Sequence, residues 1–188
     1  MIRLEILTEE VSMENFLRGL LPRILPADYY LDVNCFIRPH EGKDHLRKSL
    51  PRKLKAYQYF GYPVMVLVVH DQDSNDCRSL KDELSGLCSG PVNTQVRIVC
   101  RELESWYFGD LNALERVYPD LIRLPIRGRA KYRVPDALFG AQELGRLTTN
   151  FTKSHASRQM GELIDIHSCT SESFQHFVSG LLKFLERQ

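Results

Sequence analysis

The chain has 188 residues, a formal net charge of +1, 43% hydrophobic residues and 26% charged residues. These values are ordinary for one globular domain with a substantial core, and they exclude a chain that binds nucleic acid as a uniform polycation. The five cysteines contain no CxxC pair, which predicts reduced thiols rather than a disulfide framework or a zinc site. Because the sequence has no apolar run of about 18 residues and no charged lead followed by an apolar signal core, we expect a cytoplasmic protein without membrane contact.

Apolar and amphipathic segments alternate through the first half of the chain. Strands are predicted at residues 2–7, 30–37, 64–69 and 92–99, and helices between them at 12–24, 50–60 and 74–87. Residues 38–48 are polar and predict a loop. The β-α-β-α-β-α-β order predicts an α/β fold, a Rossmann-like three-layer sandwich with a mainly parallel central sheet.

Beyond residue 100 the pattern becomes looser and mainly helical. Helices are predicted at residues 102–108, 111–117, 154–164 and 172–185, and the proline-containing segment 121–138 predicts a loop. We expect a single domain over residues 1–188. Its core would occupy about residues 1–108, and a C-terminal loop and helical extension would occupy about residues 109–188.

The clearest predicted strand runs directly into two carboxylates. The six apolar residues 64–69 are followed by His70, Asp71 and Asp73. An unbroken valine-rich run predicts a strand buried on both faces of a parallel sheet, and such sheets place their chemistry at the carboxyl ends of the strands. Asp71 and Asp73 therefore predict a site for Mg²⁺ or Mn²⁺. The alternative is a plain polar turn, because Asp, Ser and Asn are good turn formers.

Acidic residues also follow two other predicted strands. Glu9, next to Glu10, follows the first strand, and Glu102 and Glu104 follow the fourth. Because parallel strands end at one edge of a sheet, these carboxylates and Asp71 are candidates for one cleft. A divalent cation would relieve their mutual repulsion, activate water and stabilise charge on a phosphoryl group. The structural alternatives are first-turn helix acids near the N-terminus and solvated helix charges after the fourth strand.

This ordered acidic set resembles the signature of the Toprim fold of topoisomerases, primases and OLD-type nucleases. The matching elements are Glu9, Asp71-x-Asp73, Glu102-Leu103-Glu104-Ser105-Trp106, and Lys153 within Phe151-Thr152-Lys153-Ser154-His155. The opening segment is similar to an uncharacterised Toprim-like family of unknown function, related to the OLD-type nucleases. The segment reads Leu7-Thr8-Glu9-Glu10-Val11-Ser12-Met13-Glu14-Asn15-Phe16-Leu17. Members of that family are commonly encoded beside AAA or ABC-type ATPases in bacterial defence loci.

The resemblance implies a metal-dependent catalytic site. The implied ligands of Mg²⁺ or Mn²⁺ are Glu9, Asp71, Asp73, Glu102 and Glu104. The implied catalytic residues are Glu9 as ligand or general acid/base, Asp71 and Asp73 as ligands, Glu104 completing the shell, and Lys153 stabilising phosphoryl charge. Without the resemblance, Lys153 reads as an ordinary surface lysine.

Two basic stretches are candidates for binding nucleic acid. The first includes Arg52 and Lys53. The second surrounds Tyr132, which would offer a ring for base stacking, and its candidate cations are Arg127, Arg129, Lys131 and Arg133. The alternative for each stretch is a solvated surface.

Other motifs fit less well. A calcium-binding EF-hand loop would need glycine at Asp76 and glutamate at Asp82, which excludes it. A haloacid-dehalogenase-type phosphatase is a weaker alternative, because Asn75 stands where threonine or valine is preferred. The chain has no GxxxxGK[ST] loop, so we do not expect it to hydrolyse ATP by itself.

The sequence therefore predicts an Mg²⁺- or Mn²⁺-dependent nuclease that hydrolyses DNA or RNA. By resemblance, it would act with an AAA or ABC-type ATPase partner as an effector of antiviral defence. Two positions depart from the Toprim pattern: Glu10 replaces the usual glycine, and Met13 replaces a second acid, with Glu14 one residue further on. These departures keep open a catalytically degenerate module that binds an ATPase or nucleic acid without cleaving. The oligomeric state is also open, including a homo-oligomer.

Overall fold

A computed structural model describes residues 2–186, which form four strands, eight α-helices and three short 3-10 turns. The strands are β1 (Arg3–Thr8), β2 (Cys35–Pro39), β3 (Val64–Asp71) and β4 (Asn93–Val99). The helices are α1 (Val11–Ile24), α2 (Lys43–Tyr57), α3 (Cys77–Leu87), α4 (Leu103–Tyr107), α5 (Leu111–Val117), α6 (Gly140–Leu147), α7 (Lys153–Leu163) and α8 (Glu172–Leu185). The 3-10 turns are Pro119–Arg123, Ala130–Tyr132 and Pro135–Ala137.

The four strands form one parallel sheet in the order β2-β1-β3-β4. Helices cover both faces of this sheet, so the predicted α/β, Rossmann-like three-layer sandwich is confirmed. Parallel neighbours require a crossover between consecutive strands, and α1, α2 and α3 provide these crossovers. Among residues 2–186, no helix is long and apolar enough to cross a membrane.

Two hydrophobic clusters lie on opposite faces of the sheet because successive strand side chains point in opposite directions. On one face, Ile6 and Leu67 pack with α1 and the C-terminal helices. On the other face, Leu7 and Val66 pack with α2 and α3. The first cluster includes buried residues from α7 and α8, so the segment after residue 108 contributes to the same core as the sheet.

Helix α7 packs closely along α1. A Cβ atom at Gly161 would overlap the backbone carbonyl of Phe16, and one at Gly19 would lie 2.7 Å from the backbone nitrogen of Glu162. Arg23 of α1 also donates to the carbonyl oxygens of Gly161 and Ile164, at 3.1 and 2.7 Å. These contacts bring the first residue of α7 back to the end of the chain's first strand.

Several predicted boundaries are wrong. Residues 43–48, predicted as loop, form the start of α2, because Leu46 continues the buried stripe of Leu50 and Leu54. Pro51 lies inside this longer helix. Strand β2 begins at Cys35 rather than at residue 30, since residues 30–34 form a hydrogen-bonded turn. Helix α6 was not predicted at all.

Candidate active site at the carboxyl edge of the sheet

The order in which strands are added to the sheet reverses between β1 and β3: β2 lies on one side of β1, whereas β3 and β4 lie on the other. Open parallel sheets place their ligand sites in the crevice outside such a switch point. Thr8 pairs with Val69, so the next residues of the two strands, Glu9 and His70, are neighbours. The Oε2 atom of Glu9 lies 3.2 Å from Nδ1 of His70, and Nδ1 also lies 2.6 Å from the carbonyl oxygen of Asp71. Glu9, His70 and Asp71 therefore meet where the fold favours chemistry.

The ends of β3 and β4 stay joined beyond the strands. The backbone N–H of Gln72 donates to Val99 at 2.8 Å, and that of Asp73 donates to the carbonyl of Arg101 at 2.7 Å. Asp73 and Arg101 both have left-handed backbone, with φ of 53° and 58°. Such conformations are uncommon in residues other than glycine and cluster at functional sites. They turn the chain out of the sheet and into α4 directly after Glu102.

Helix α4 brings Glu104 into the interior. The side chain is almost completely buried, with 1% of the residue exposed. Gly140 packs directly on the backbone of Glu104, where a Cβ atom would overlap it. The carboxylate of Glu102 accepts a hydrogen bond of 2.6 Å from the backbone N–H of Ala141. Glu102 therefore ties α6 to the start of α4, whereas Glu104 faces the site.

Lys153 is the first residue of α7, which the side chain of Thr152 caps by accepting a hydrogen bond from the N–H of His155. Its Nζ atom lies 3.2 Å from Oε2 of Glu10. Burial would lower the pKa of Lys153, but the carboxylates of Glu104 and Glu10 outweigh it and raise that pKa above its usual value. Lys153 is therefore a charged ammonium group beside the acidic residues.

The acidic residues influence one another electrostatically. Burial, followed by the charges of Glu104 and Glu9, raises the pKa of Asp71 well above its usual value. Burial likewise raises the pKa of Glu104 to about 7, although Lys153 opposes the shift. Burial also raises the pKa of Glu9, against the opposing influence of His70. Each of the three carboxyl groups therefore disfavours ionisation of the others, because little solvent reaches them to screen their charges.

Unpaired buried polar atoms are concentrated around these carboxylates. Within the described part of the chain, seven buried side-chain nitrogen or oxygen atoms in this region have no hydrogen-bond partner. The seven are Glu9 Oε2, His70 Nε2, Asp71 Oδ1, Glu104 Oε1 and Oε2, Tyr107 OH and Tyr118 OH. Buried polar atoms are normally paired, so such a concentration points to a site that binds a polar ligand or ion.

Sequence reasoning missed the two tyrosines. Tyr107 lies three residues after Glu104 in α4, on the same helix face, and this spacing was the available signal. Burial, with Glu104 and Asp71 adding to it, raises the pKa of Tyr107 well above its usual value. Tyr118 follows α5, and its ring lies 6.0 Å from that of His155. Nothing in the local sequence around Tyr118 indicates this position.

The carboxylates of the site are hard oxygen donors, the type of ligand that Mg²⁺ prefers. Among residues 2–186, no three His, Cys, Asp or Glu side chains form a group that could hold a metal ion by themselves. Mg²⁺, however, is commonly bound by one or two carboxylates together with water and substrate phosphates. Carboxylate oxygens of Glu9, Asp71 and Glu104 that accept no hydrogen bond offer this type of donor. Asp73 is more exposed, with Oδ2 3.6 Å from Nζ of Lys43, and its charge contributes to the raised pKa values of Glu9 and Asp71.

The predicted nucleic-acid-binding residues lie in different settings. Arg52 and Lys53 follow the start of α2 by nine and ten residues, about 14 Å of helix away from the carboxyl edge. In the second stretch, Arg129, Lys131 and Arg133 are exposed and make at most one ion pair each within residues 2–186. Lys131 pairs with Glu143, and Arg129 and Arg133 make no ion pair within residues 2–186.

Two details of the second stretch limit its use for binding. Arg127 is held by Glu115 and Asn112, with hydrogen bonds of 2.6–3.0 Å. Tyr132 is buried, stacks on Phe108 with a centroid distance of 5.6 Å, and donates to a carboxylate oxygen through its hydroxyl group. The prediction that Tyr132 offers a ring for base stacking is therefore wrong, because the ring belongs to the core.

Comparison with known proteins gives a family but no activity. A family model described as a domain of unknown function (DUF4276) matches residues 8–182. This match includes the whole of the candidate site, from Glu9 to Lys153. No curated protein and no solved structure matches the chain.

Proposed function

The chain belongs to the DUF4276 family, and from its site we propose that it is a metal-dependent nuclease that hydrolyses phosphodiester bonds in DNA or RNA. One observation carries this proposal. Buried carboxyl groups of Glu9, Asp71 and Glu104 lie within electrostatic range of one another at the switch point of a parallel sheet, with Lys153 close enough to influence Asp71 and Glu104. This combination of hard oxygen donors and a cation suits a phosphate-bearing substrate.

Each residue has a role that follows from its position. Asp71, with Glu9 or Glu104, would hold Mg²⁺ or Mn²⁺. The cation would supply neutralisation of phosphoryl charge and a lowered pKa for bound water. Lys153 would bind a phosphoryl oxygen, because its half-exposed ammonium group pairs with Glu10 and lies close enough to Glu104 and Asp71 to feel their charges. The resemblance to Toprim nucleases, in the ordered set Glu9, Asp71, Asp73, Glu104 and Lys153, supports the same assignment.

The proposal includes a separate ATPase partner and a cytoplasmic setting. The partner is supported by the resemblance to a family encoded beside AAA or ABC-type ATPases. It is also supported by the chain itself, which has no GxxxxGK[ST] loop. The odd number of cysteines without a CxxC pair supports a reducing compartment.

The direct test is cleavage of labelled DNA and RNA with Mg²⁺ or Mn²⁺, with and without an ATPase encoded beside the gene. We expect Asp71→Asn and Glu104→Gln to reduce cleavage at least about 100-fold, since each removes several kcal/mol of transition-state stabilisation. Asp76→Asn is the matched control, because Asp76 is an exposed helix cap and asparagine caps equally well. Wild-type cleavage by the two site variants, or no cleavage under any condition, would contradict the proposal.

A second candidate is a module that binds an ATPase partner or nucleic acid without cleaving. It is favoured by the lack of a three-residue metal group within residues 2–186, and by the pairing of Lys153 with Glu10. In this case Lys153 would neutralise the acidic residues permanently, and the site would have no need of a metal. Metal binding distinguishes the two candidates.

A further inference from the structure

A continuous series of contacts runs along the carboxyl edge of the sheet, outside the carboxylates. It begins at α2, where Nζ of Lys43 lies 3.6 Å from the carboxylate of Asp73. The guanidinium group of Arg101 donates to the carbonyl oxygen of Asp73 at 3.4 Å. The same guanidinium lies over the ring of Phe139, 5.0 Å from its centroid. We call Lys43, Arg101 and Phe139 the edge track.

The edge track lies directly beside the candidate active site. Asp73 is two residues after Asp71, and Arg101 is three residues before Glu104. Gly140, the residue after Phe139, packs on the backbone of Glu104. A ligand on the edge track would therefore pass within reach of the buried carboxylates.

Two features set the edge track apart from an ordinary surface. Phe139 is 41% exposed, although a phenylalanine gains from burial. Arg101 has a left-handed backbone, which is uncommon for arginine and is stabilised by hydrogen bonds to Gln72 and Asp73. The fold thus holds a cation and an accessible aromatic ring together at the mouth of the site.

We propose that the edge track binds a single-stranded segment of nucleic acid, with a base stacked at Phe139 and phosphates at Arg101 and Lys43. This inference rests on the proposed function and names its substrate class. Stacking on an aromatic side chain needs an unpaired base, because the bases of a duplex already stack on one another. The cations follow the backbone without reading its sequence, so the preference is for strandedness rather than for sequence.

The test is binding without cleavage. Fluorescence anisotropy is measured in EDTA with labelled oligo(dT) and oligo(U) of about ten nucleotides, a usual site size, and with a duplex of the same length. We expect both single strands to bind more tightly than the duplex. Phe139→Ala should weaken single-strand binding by a factor of about 5 to 150, the range that corresponds to loss of one base stack. Phe139→Trp should retain it.

The matched control is Tyr59→Ala, which removes a 75% exposed aromatic ring beyond the far end of α2 and should leave binding unchanged. Arg101→Asn removes the charge with a residue that tolerates left-handed backbone. It should reduce the slope of log K against log salt by about 0.7, the value for one contact to a single strand. Unchanged melting temperatures show that the variants are folded.

The outcomes separate this inference from the proposed function. If Phe139→Ala binds as wild type does, or if the duplex binds as tightly as the single strands, the edge track does not bind single-stranded nucleic acid. This conclusion would hold even where Asp71→Asn abolishes cleavage. If single strands bind through Phe139 but nothing is cleaved, the edge track stands and the nuclease assignment fails. If no oligonucleotide binds and none is cleaved, both fail.

Discussion

Glu104 illustrates how a single residue opposes the stability of the fold. Its carboxyl group is buried, neither oxygen has a hydrogen-bond partner, and its pKa is raised from 4.5 to about 7. The native protein therefore binds the proton more tightly than the unfolded chain does. The stability that this proton contributes is fully present below pH 4.5, and it is lost as the pH rises through about 7.

We therefore expect Glu104→Gln to stabilise the metal-free protein at high pH. The shift corresponds to roughly 3 kcal/mol in the free energy of unfolding at pH 8 and to little at pH 4.5. Urea unfolding in EDTA at both pH values measures this difference. The exposed Glu41→Gln is the control and should behave as wild type at both. A variant that is less stable than wild type at pH 8 would mean that the carboxylate has a stabilising partner.

The hydroxyl group of Tyr107 is expected to matter for activity but not for stability. Its hydroxyl group is buried without a partner, so Tyr107→Phe should leave stability unchanged or raise it by up to about 1 kcal/mol. If the hydroxyl group positions the acidic residues or the substrate, cleavage should fall about ten-fold, the equivalent of 1.4 kcal/mol. Tyr132→Phe provides the comparison, because its hydroxyl group is already bonded and its loss should only destabilise. Full activity in Tyr107→Phe would exclude Tyr107 from the site.

At the scale of elements, the contact between α1 and α7 places Lys153. The two helices approach closely because Gly161 faces the backbone of Phe16 and Gly19 faces that of Glu162. Side chains at these glycines would push α7 away from α1, and its first residue would move with it. The position of Lys153 thus depends on Gly161, about two helical turns further along α7.

We expect Gly161→Ala to destabilise the protein by about 1–3 kcal/mol through overpacking. Cleavage should also decrease, because Lys153 would shift relative to Glu104. Gly145→Ala is the matched control: Gly145 lies in α6 with open space around it, so alanine should stabilise by up to about 1 kcal/mol. Urea unfolding and the cleavage assay measure the two effects. Equal stability of the two variants would contradict the close packing of α1 and α7.

At the scale of the whole molecule, metal binding would couple the two halves of the chain. Glu9 and Asp71 come from the first half, whereas Glu104 lies in α4 in the second half. A cation that binds only the folded arrangement stabilises all of it, and deprotonated carboxylates bind it best. This property separates the nuclease from the non-cleaving module.

We expect Mn²⁺ at about 100 times its Kd to add about 2.7 kcal/mol of stability, a rise in Tm of roughly 5–10 °C for a chain of this size. The rise should be larger at pH 8 than at pH 6, because Glu104, with a pKa of about 7, must lose its proton to bind. Thermal melting with and without Mn²⁺ measures it, and Asp71→Asn should abolish it. No shift at millimolar Mn²⁺ at either pH would favour the module.

The order of strands and helices along the chain, and the place of the acidic residues at strand ends, follow from the sequence. The run at residues 64–69 is apolar on both faces, which is a local property, and it predicts β3 and therefore Asp71 at its end. The alternation of strands and helices likewise predicts the parallel sheet, because parallel strands require crossovers. Periodicity failed where it was weakest, at the start of α2 and in the short helix α6.

Only the tertiary structure decides how the site is completed. Tyr118 and Lys153 reach the acidic residues through packing between segments far apart in sequence, and no local pattern encodes such packing. The same packing buries Tyr132 against Phe108 and leaves Phe139 exposed over Arg101. The sequence by itself determined which strand ends carry carboxylates, because strand periodicity is local. Which side chains surround those carboxylates was decided by long-range contacts that form only when the chain folds.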